Sequence, residues 1–399
     1  MSSKYTLAGM MLLLLVAHVA HATNLKVNCD KGGTLAKALA KARPGMTIQI
    51  TGTCHEAVTI TTNRLTLDGG GIAILDGGGQ QAVVTIQKAH AVTLQGLTIR
   101  NGNPRGIFAR LGVTMTLRNV IVEQCTIGVE MDGAQARVID STLQENSNVG
   151  FVALHTSTVE ILGDVVSQHN GFGIAIGNGS AAFVPLGGQG TLTAHDNGQD
   201  GVVLIAGSAL SLQGPGASLI AHHNGGSGLL VATNSSVAIV FGGMLDLHDN
   251  QVHGLFLAAS SALSASDGLI KANANGQDGI HVEQSAAFGV SSFLGLTPLF
   301  PAVETQHNGR HGLSASIGSA IGVSQATLTS QQNAGSGLFA DDGSTVSLVG
   351  SPGTPITVTQ NGGGDVVLSF AARATLVGST IGAIACDATA LSRGTTVCP

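Results

Sequence analysis

The segment DNQVHGLF, from Asp249 to Phe256, decides the fold because it recurs along most of the chain. Each copy carries an Asn at its second position, a Gly four residues later, and then an apolar residue. The copies are ENSNVGFV at Glu145, HNGFGIA (contracted) at His169, DNGQDGVV at Asp196, HNGGSGLL at His223, DNQVHGLF at Asp249, ANGQDGIH at Ala274, HNGRHGLS at His307 and QNAGSGLF at Gln332. By subtraction of their numbers, successive central Asn residues lie 24 to 33 residues apart. A period of this length is typical of a solenoid.

The residues before each central Asn alternate between apolar and polar with a period of two. In the copy at Asn250, Leu245 and Leu247 are apolar, whereas Asp246 and His248 are polar. This alternation predicts a strand with one buried face. A second strand is predicted after the Gly, and a third after a bend rich in Ser and Ala. Three short strands per repeat predict one coil of a parallel β-helix, paired with the next coil at about 4.8 Å.

The repeated Asn and Gly predict how the bends are built. An Asn tolerates the left-handed backbone conformation, and its amide is expected to bond to the Asn of the next coil, forming an internal ladder. The Gly is expected to turn the chain with a positive φ angle.

The composition agrees with a solenoid and excludes other classes. The 399 residues include 57 Gly, no Trp and a single Tyr at position 5, with 10% charged residues and 3% aromatic ones. The mean hydropathy of +0.34 excludes a charged, disordered chain. The Gly residues lack the three-residue period of collagen. A net charge of −6 argues against a nucleic-acid partner.

The chain ends predict export and two caps. Residues 1–22 resemble a secretory signal peptide, with Lys4, an apolar run over 7–17 and an Ala20-His21-Ala22 cleavage site. The mature chain is therefore expected to be secreted or periplasmic, with no membrane span. We expect residues 23–60 to form an N-terminal cap with a helix within 33–43. Residues 61–385 are expected to form the coils, and residues 386–399 a C-terminal tail.

Export makes disulfides plausible among the five Cys residues. Cys29 with Cys54 would close the N-terminal segment, and Cys386 with Cys398 would close the C-terminal tail. Cys125 is left over and is expected to be a small buried hydrophobic residue.

The N-terminal segment resembles a known superfamily. The predicted helix, its Pro44-Gly45 stop, the strand TIQI at Thr47 and the run LTLDGGG at Leu65 look like the cap and first coils of right-handed parallel β-helix proteins, the pectin-lyase-like superfamily. The Asn-Gly repeats resemble its generic repeat unit. The resemblance implies a single-stranded, right-handed parallel β-helix with a short N-terminal capping helix.

The same resemblance implies interaction with a polysaccharide. Members include pectate and alginate lyases, polygalacturonases, uronate epimerases, phage tailspikes and periplasmic accessory proteins. The chain is thus expected to be a lyase, hydrolase or epimerase, or else a non-catalytic surface or periplasmic scaffold or adhesin. The resemblance implies no particular cofactor. Aromatic side chains that could stack on a sugar are scarce, because Trp and mature-chain Tyr are missing. In addition, Asp341-Asp342 lacks the Gly-His-Gly that follows a paired Asp in polygalacturonases.

Candidate site residues are the polar side chains expected to point outward on neighbouring coils. His residues serve as general bases or metal ligands, and carboxylates tune them. The candidate catalytic residues are His248, His253, Asp278, His281 and Glu283, and the candidate substrate-binding residues are Lys271, Arg310 and His311. The long insertion between Asn275 and Asn308 lies next to His281 and Glu283 in the sequence, which favours an enzyme.

A separate row of His residues predicts either a metal site or a surface ladder. His195, His222 and His248 occupy the same position on consecutive coils, so their imidazoles are expected about 5 Å apart. Such rings are too far apart for direct contact but could share a cation. The alternative is a solvent-exposed structural row.

Overall fold

The fold is one parallel β-solenoid of about 14 coils. The computed structural model describes residues 24–79, 81–292, 301–395 and 397–398. The predicted signal peptide and most of the insertion, residues 293–300, lie outside these described residues. An all-β parallel β-helix is therefore confirmed.

Each coil contributes a strand to three faces, as the repeat predicts. Face 1 is a 14-stranded sheet that follows the Asn bends. Its strands are Val58–Ile60, Val84–Ile86, Arg105–Ala109, Ile127–Asp132, Val149–Leu154, Phe172–Ile176, Val202–Leu204, Leu229–Val231, Leu255–Leu257, Ile280–Val282, Leu313–Ala315, Leu338–Ala340, Val366–Leu368 and Ile384–Cys386.

Faces 2 and 3 are continuous with each other near the N-terminus, where three long strands bend from one face into the other. These long strands are Thr66–Asp76, Val92–Arg100 and Thr158–Gln168. The remaining strands of face 2 are Asn24–Asn28, Thr47–Thr51, Thr114–Arg118, Gln135–Ile139, Ala181–Val184, Ala209–Gln213, Ser236–Val240, Ala262–Ser266, Ala287–Ser291, Ala320–Ser324, Thr345–Val349, Arg373–Val377 and Leu391–Gly394. Those of face 3 are Thr53–Cys54, Ile121–Glu123, Thr142–Gln144, Gly190–His195, Ala217–His222, Met244–His248, Leu269–Asn273, Ala302–Gln306, Thr327–Gln331, Ile356–Thr359 and Ser379–Ile381.

Equivalent residues of successive repeats lie side by side, so the sequence offset from the central Asn is also a position in space. On face 3, Leu219 pairs with Leu245, and Leu245 pairs with Ile270. All three side chains are buried. The residues between them point outward. The core is thus a stack of aliphatic side chains, and their removal from water stabilises the coils.

The internal Asn ladder is confirmed. The Nδ2 of Asn224 donates to Oδ1 of Asn250 at 2.9 Å, and the backbone N–H of Asn224 donates to the same oxygen at 3.2 Å. Nδ2 also donates to the carbonyl of Ala194 at 3.0 Å. The pattern repeats from Asn146 to Asn361. Each bend therefore satisfies its buried polar groups through its neighbours.

Two expectations about the bend were wrong in detail. The left-handed residue is the one before the Asn, for example Asp249 with φ 56°, because the Asn itself must aim its amide into the ladder. The repeat Gly does not have a positive φ. A Cβ on Gly254 would lie 2.7 Å from both the Asn275 Nδ2 and the Gly279 oxygen. Close packing between coils, not a turn conformation, requires Gly there.

The N-terminal cap contains a helix that is shorter than predicted. The helix spans Leu35–Leu39 and is preceded by a 3₁₀ turn, Cys29–Lys31. It ends early because the N–H groups of Lys41 and Ala42 bond three residues back, which tightens the last turn. The Glu56 carboxylate accepts hydrogen bonds from the N–H groups of Leu35 and Ala36 at the start of the helix.

Both predicted disulfides are present. Cys29 bonds to Cys54, and Cys386 bonds to Cys398. Cys125 is free and buried as expected, and burial raises the pKa of its thiol to about 11. Among the described residues, no helix has the length and apolar character needed to cross a membrane.

Candidate functional site

Asp278, which was expected to point outward, is instead fully buried and lies at the centre of a polar cluster. It follows Asn275 by three residues, in the bend before the face 1 strand Ile280–Val282. Its oxygens accept hydrogen bonds from Arg310 Nε at 2.7 Å, the His311 N–H at 2.9 Å and Ser314 Oγ at 2.8 Å. The Arg310 Nη2 donates to it as well.

The bend position explains why acceptors gather here. At this position, three residues after the central Asn, several side chains accept the N–H of the equivalent residue in the next coil. His253 Nδ1 accepts from the Asp278 N–H at 3.3 Å, and His311 Nδ1 accepts from the Ser336 N–H at 2.9 Å. Side chains with an acceptor satisfy the backbone of the next coil at this offset, and His253, Asp278 and His311 occupy it on consecutive coils.

His281 lies between two carboxylates on the outward side of face 1. Its Nδ1 is 3.0 Å from Asp278 Oδ2 and 2.5 Å from Ser314 Oγ, and its Nε2 is 3.3 Å from Glu283 Oε2. The imidazole side chain is 12% exposed and that of Glu283 22%. His281 therefore links a buried carboxylate to one that reaches solvent.

The hydrogen positions follow from the partners of His281. An ionised Asp278 can only accept, so Nδ1 carries a hydrogen. Nε2 faces Glu283 Oε2 at 3.3 Å, so a proton can pass between the imidazole and the carboxylate.

Two small residues on the next coil adjoin this pair. The outward row of face 1 pairs Phe256 with His281, His281 with Ser314, and Ser314 with Phe339. In the adjoining bend, Glu283, Ser316 and Asp341 follow their strands at the same offset. Ser314 and Ser316 thus lie between larger neighbours on both adjacent coils. We call these two serine positions the serine gap.

Aromatic rings border the serine gap. The His311 ring stacks on Phe339 with centroids 4.7 Å apart, and Phe256 tilts against His281 at 5.3 Å. Both Phe side chains are half-buried and fixed by these contacts. Rigid apolar rings beside polar groups are suited to contact with a sugar face.

Asp341 forms the far wall of the serine gap. Its Oδ1 is buried and has no hydrogen-bond partner among the described residues. Burial, and then the neighbouring Asp342 carboxylate, raise the pKa of Asp341, although the charges of His281 and Arg310 act in the opposite direction. This carboxyl is therefore harder to ionise than that of a fully exposed Asp.

Burial and the Asp278–Arg310 ion pair also shift the pKa values of four groups in the cluster, namely Asp278, Arg310, His311 and His253. Burial by itself would raise the pKa of Asp278, but hydrogen bonds from Arg310 and His281 and the Arg310 charge hold it well below its usual range. The hydrogen bond to Asp278 raises the pKa of Arg310. Burial lowers the pKa of His311, and it lowers that of His253 to about 4.

This shift at His253 predicts a pH-dependent stability. The unfolded chain binds a proton at this His near pH 6.5, and the folded chain only near pH 4. Between these values the unfolded state binds more protons, so stability falls as the pH drops, by up to about 3 kcal/mol. Unfolding midpoints measured from pH 7.5 to 4 should fall less steeply in His253→Gln than in the wild type. His155→Gln, an exposed His, is the control and should retain the wild-type slope. Equal slopes in all three proteins would contradict the prediction.

The cluster satisfies its charges without a cation. His253, Asp278 and His281 place ligand atoms within 4.8 Å of one another. However, the Arg310 guanidinium already binds both oxygens of Asp278 and offsets its charge. The donor set therefore fits an ion pair better than a metal centre.

The structure brings together six of the candidate residues and separates the others. His253, Asp278, His281, Glu283, Arg310 and His311 lie in the cluster. Lys271 lies on face 3, paired in register between Asp246 and Glu304. His248 also lies on face 3, where it contacts His222, His223 and Asp249.

The three His residues of face 3 form the row that the sequence predicts. The ring of His222 stacks on that of His195 at 4.9 Å and on that of His248 at 5.0 Å, nearly parallel in both cases. Their suggested role in metal binding stays a prediction.

Sequence reasoning missed Ser314, Ser316 and Asp341 as members of the site. The signal was present in their offsets. His281, Ser314 and Phe339 each follow a central Asn by six residues, and Glu283, Ser316 and Asp341 each follow one by eight. An alignment of the repeats by their central Asn would have placed the carboxylates of Glu283 and Asp341 on either side of Ser316.

Comparison with known proteins identifies the fold. A family described as "Right handed beta helix region" matches residues 47–185. The A-module of the Azotobacter vinelandii mannuronan C-5 epimerase AlgE6 aligns with 90% of this chain and 99% of its own, with a TM-score of 0.50 and 16% identity. The chain is a right-handed parallel β-helix protein.

Other β-helix structures align less well. The AlgE4 A-module of the same organism covers 82% of this β-helix and 88% of its own chain, with a TM-score of 0.41 and 15% identity. Pectate lyase Pel9A covers 72% and 79%, with a TM-score of 0.40 and 14% identity. No curated protein matches the sequence. At these identities the likeness concerns the fold.

Proposed function

We propose that this β-helix binds a polysaccharide across the serine gap and hydrolyses one of its glycosidic linkages. The observation that carries the proposal is a pair of carboxyl groups, Glu283 and Asp341, at equivalent positions two coils apart with only Ser316 between them. At about 4.8 Å per coil their backbones are separated by roughly 9.6 Å. This backbone separation is close to the roughly 6.5–9.5 Å between carboxyl groups that is typical of inverting glycosidases.

The environments of the two carboxyl groups support different roles. Asp341 is the acid, because burial of its carboxyl favours the protonated form. Glu283 is the base, because His281 can take the shared proton and leave the carboxylate ionised. Asp278 and Ser314 position His281 through its Nδ1.

The reaction balances with water as the second reactant. Glu283 removes a proton from a water molecule as its oxygen attacks the anomeric carbon. The bond from that carbon to the glycosidic oxygen breaks, and Asp341 supplies a proton to the departing oxygen. Loss of a proton from Glu283 to solvent and its return to Asp341 restore the site.

The borders of the serine gap support a sugar as the bound ring. Phe339 and Phe256 offer apolar faces. The side chain of Arg310, which is paired with Asp278, is 47% exposed. Arg310 and His311 are thus placed to bind hydroxyl or carboxylate groups of the chain. The similar structure named a mannuronan C-5 epimerase is, by that name, an enzyme that acts on a polysaccharide. The two disulfides fit a secreted or periplasmic protein.

A substrate screen tests this proposal. The purified mature protein is incubated with alginate, polygalacturonate and a set of neutral glycans, and both reducing ends and double-bond absorbance are recorded. Hydrolysis predicts new reducing ends without new absorbance. New absorbance would show elimination and overturn the proposed roles of Glu283 and Asp341. The absence of both product and binding on all substrates would overturn the proposal and favour a non-catalytic scaffold or adhesin.

A further inference from the structure

A second cluster of potential ligands lies on face 3, where it meets the Asn bend. On three consecutive coils the last outward residue of the strand pairs with the side chain that follows it. His195 Nδ1 lies 2.7 Å from Asp196 Oδ2, and His248 Nδ1 lies 2.8 Å from Asp249 Oδ2. Both are ordinary pairs of an imidazole with a carboxylate.

The middle coil differs, because two imidazole nitrogens face each other. The Nδ1 atoms of His222 and His223 are 2.7 Å apart, and the two rings are nearly perpendicular at 84°. At this distance one Nδ1 must carry a hydrogen and the other must accept it. Protonation of both rings would place two N–H groups head to head.

The local backbone fixes this convergence. His222 ends the strand Ala217–His222, and His223 adopts the left-handed conformation with φ 54° just before the ladder residue Asn224. That conformation turns the side chain of His223 back toward His222. The parallel rings of His195 and His248 hold His222 from both sides.

We propose that His222 and His223 form the core of a copper(II) site, with Nδ1 of both residues as ligands. Two nitrogens at about 2.0–2.1 Å from one ion and at right angles to each other are roughly 2.9 Å apart, so binding requires the pair to open by a few tenths of an ångström and both rings to turn their Nδ1 lone pairs toward the ion. Imidazole ligands suit copper, which binds most tightly among the divalent first-row metals and accepts right-angled ligands.

The surroundings supply a charge that suits a cation. The Asp196 carboxylate of the preceding coil lies close enough to affect both rings, and its own pKa is lowered by the hydrogen bond from His195 and by the charges of nearby His residues including His223.

Titration with copper(II) chloride tests the site, using the full mature chain without an affinity tag. Isothermal titration and electron paramagnetic resonance at pH 7 should show one copper ion per chain, with hyperfine coupling to two nitrogens. His223→Ala and His222→Ala should each weaken binding at least about tenfold. Because these side chains are at the surface, the variants should unfold at the wild-type temperature.

Two further sets of variants distinguish a site at His222 and His223 from binding elsewhere on the His-rich surface. His307→Ala is a matched control, because His307 occupies the same left-handed position as His223 but follows Gln306 instead of a His. It should leave copper affinity unchanged. Unchanged affinity in His223→Ala, or loss of binding only when His195 and His248 are both replaced, would overturn the proposal. Copper binding is read without substrate, so its outcome is independent of polysaccharide cleavage.

Discussion

Replacing Glu283 by Gln is expected to lower the cleavage rate about 10²–10⁴-fold while leaving the fold unchanged. The amide keeps the size of the side chain and a contact with His281 Nε2, but it cannot take a proton from water. The side chain is 22% exposed and lies outside the Asn ladder, so the unfolding temperature should stay close to that of the wild type. Initial rates on the polysaccharide that gives product measure the effect.

Asp341→Asn should give a similar loss of rate for the opposite reason, because the amide cannot donate a proton to the departing oxygen. The control is Asp164→Asn, since Asp164 is exposed and lies on face 3, away from the serine gap. Its rate should stay within a few fold of the wild type. An activated substrate with a good leaving group needs less acid catalysis, so it should restore much of the rate of Asp341→Asn but not of Glu283→Gln. Equal rates in Asp341→Asn and the wild type would remove Asp341 from the mechanism.

The second large effect concerns stability. Asp278→Asn is expected to destabilise the fold by about 3 kcal/mol or more, because removing one partner of a buried ion pair leaves the other uncompensated. The new amide would point N–H groups at Arg310, and one acceptor for Ser314 Oγ would be lost. Denaturant unfolding followed by circular dichroism measures the change.

The control for this substitution is Asp249→Asn. Asp249 also pairs with a His, but its side chain is 46% exposed, so its replacement should change stability by less than about 0.5 kcal/mol. If Asp278→Asn were as stable as Asp249→Asn, the buried cluster would not hold face 1 together. A second variant, Arg310→Met, should also destabilise, because it leaves the Asp278 charge buried without its cation.

The sequence was most informative where residues at the same offset from the central Asn share the same burial in every coil. Leu245 and Leu247 alternate with Asp246 and His248, and this period of two determines which residues point inward. The Asn ladder also followed from the sequence, because an amide recurring once per coil can satisfy a buried bend only through its neighbour. The stack of His253, Asp278 and His311 was predictable for the same reason.

The sequence was least informative about the backbone conformation within the bend and about which side chains contact the neighbouring coils. The positive φ angle falls on Asp249 and not on Asn250, because the ladder sets the direction of the Asn side chain. Gly254 is required by an approach of 2.7 Å to the next coil, which no residue pattern reveals. The sequence did not reveal the burial of the Asp341 carboxyl, which depends on how the neighbouring side chains pack around it.

By itself, the sequence determined the solenoid, its three strands per coil, its two disulfides and the candidates that share a row. Only the tertiary structure decided that Arg310 reaches back 32 residues to Asp278, that His281 contacts both Asp278 and Glu283, and that His222 faces His223. The physical reason is that the repeat fixes where each backbone position lies. The direction of a long side chain depends on the charges and hydrogen-bond partners that the neighbouring coils present.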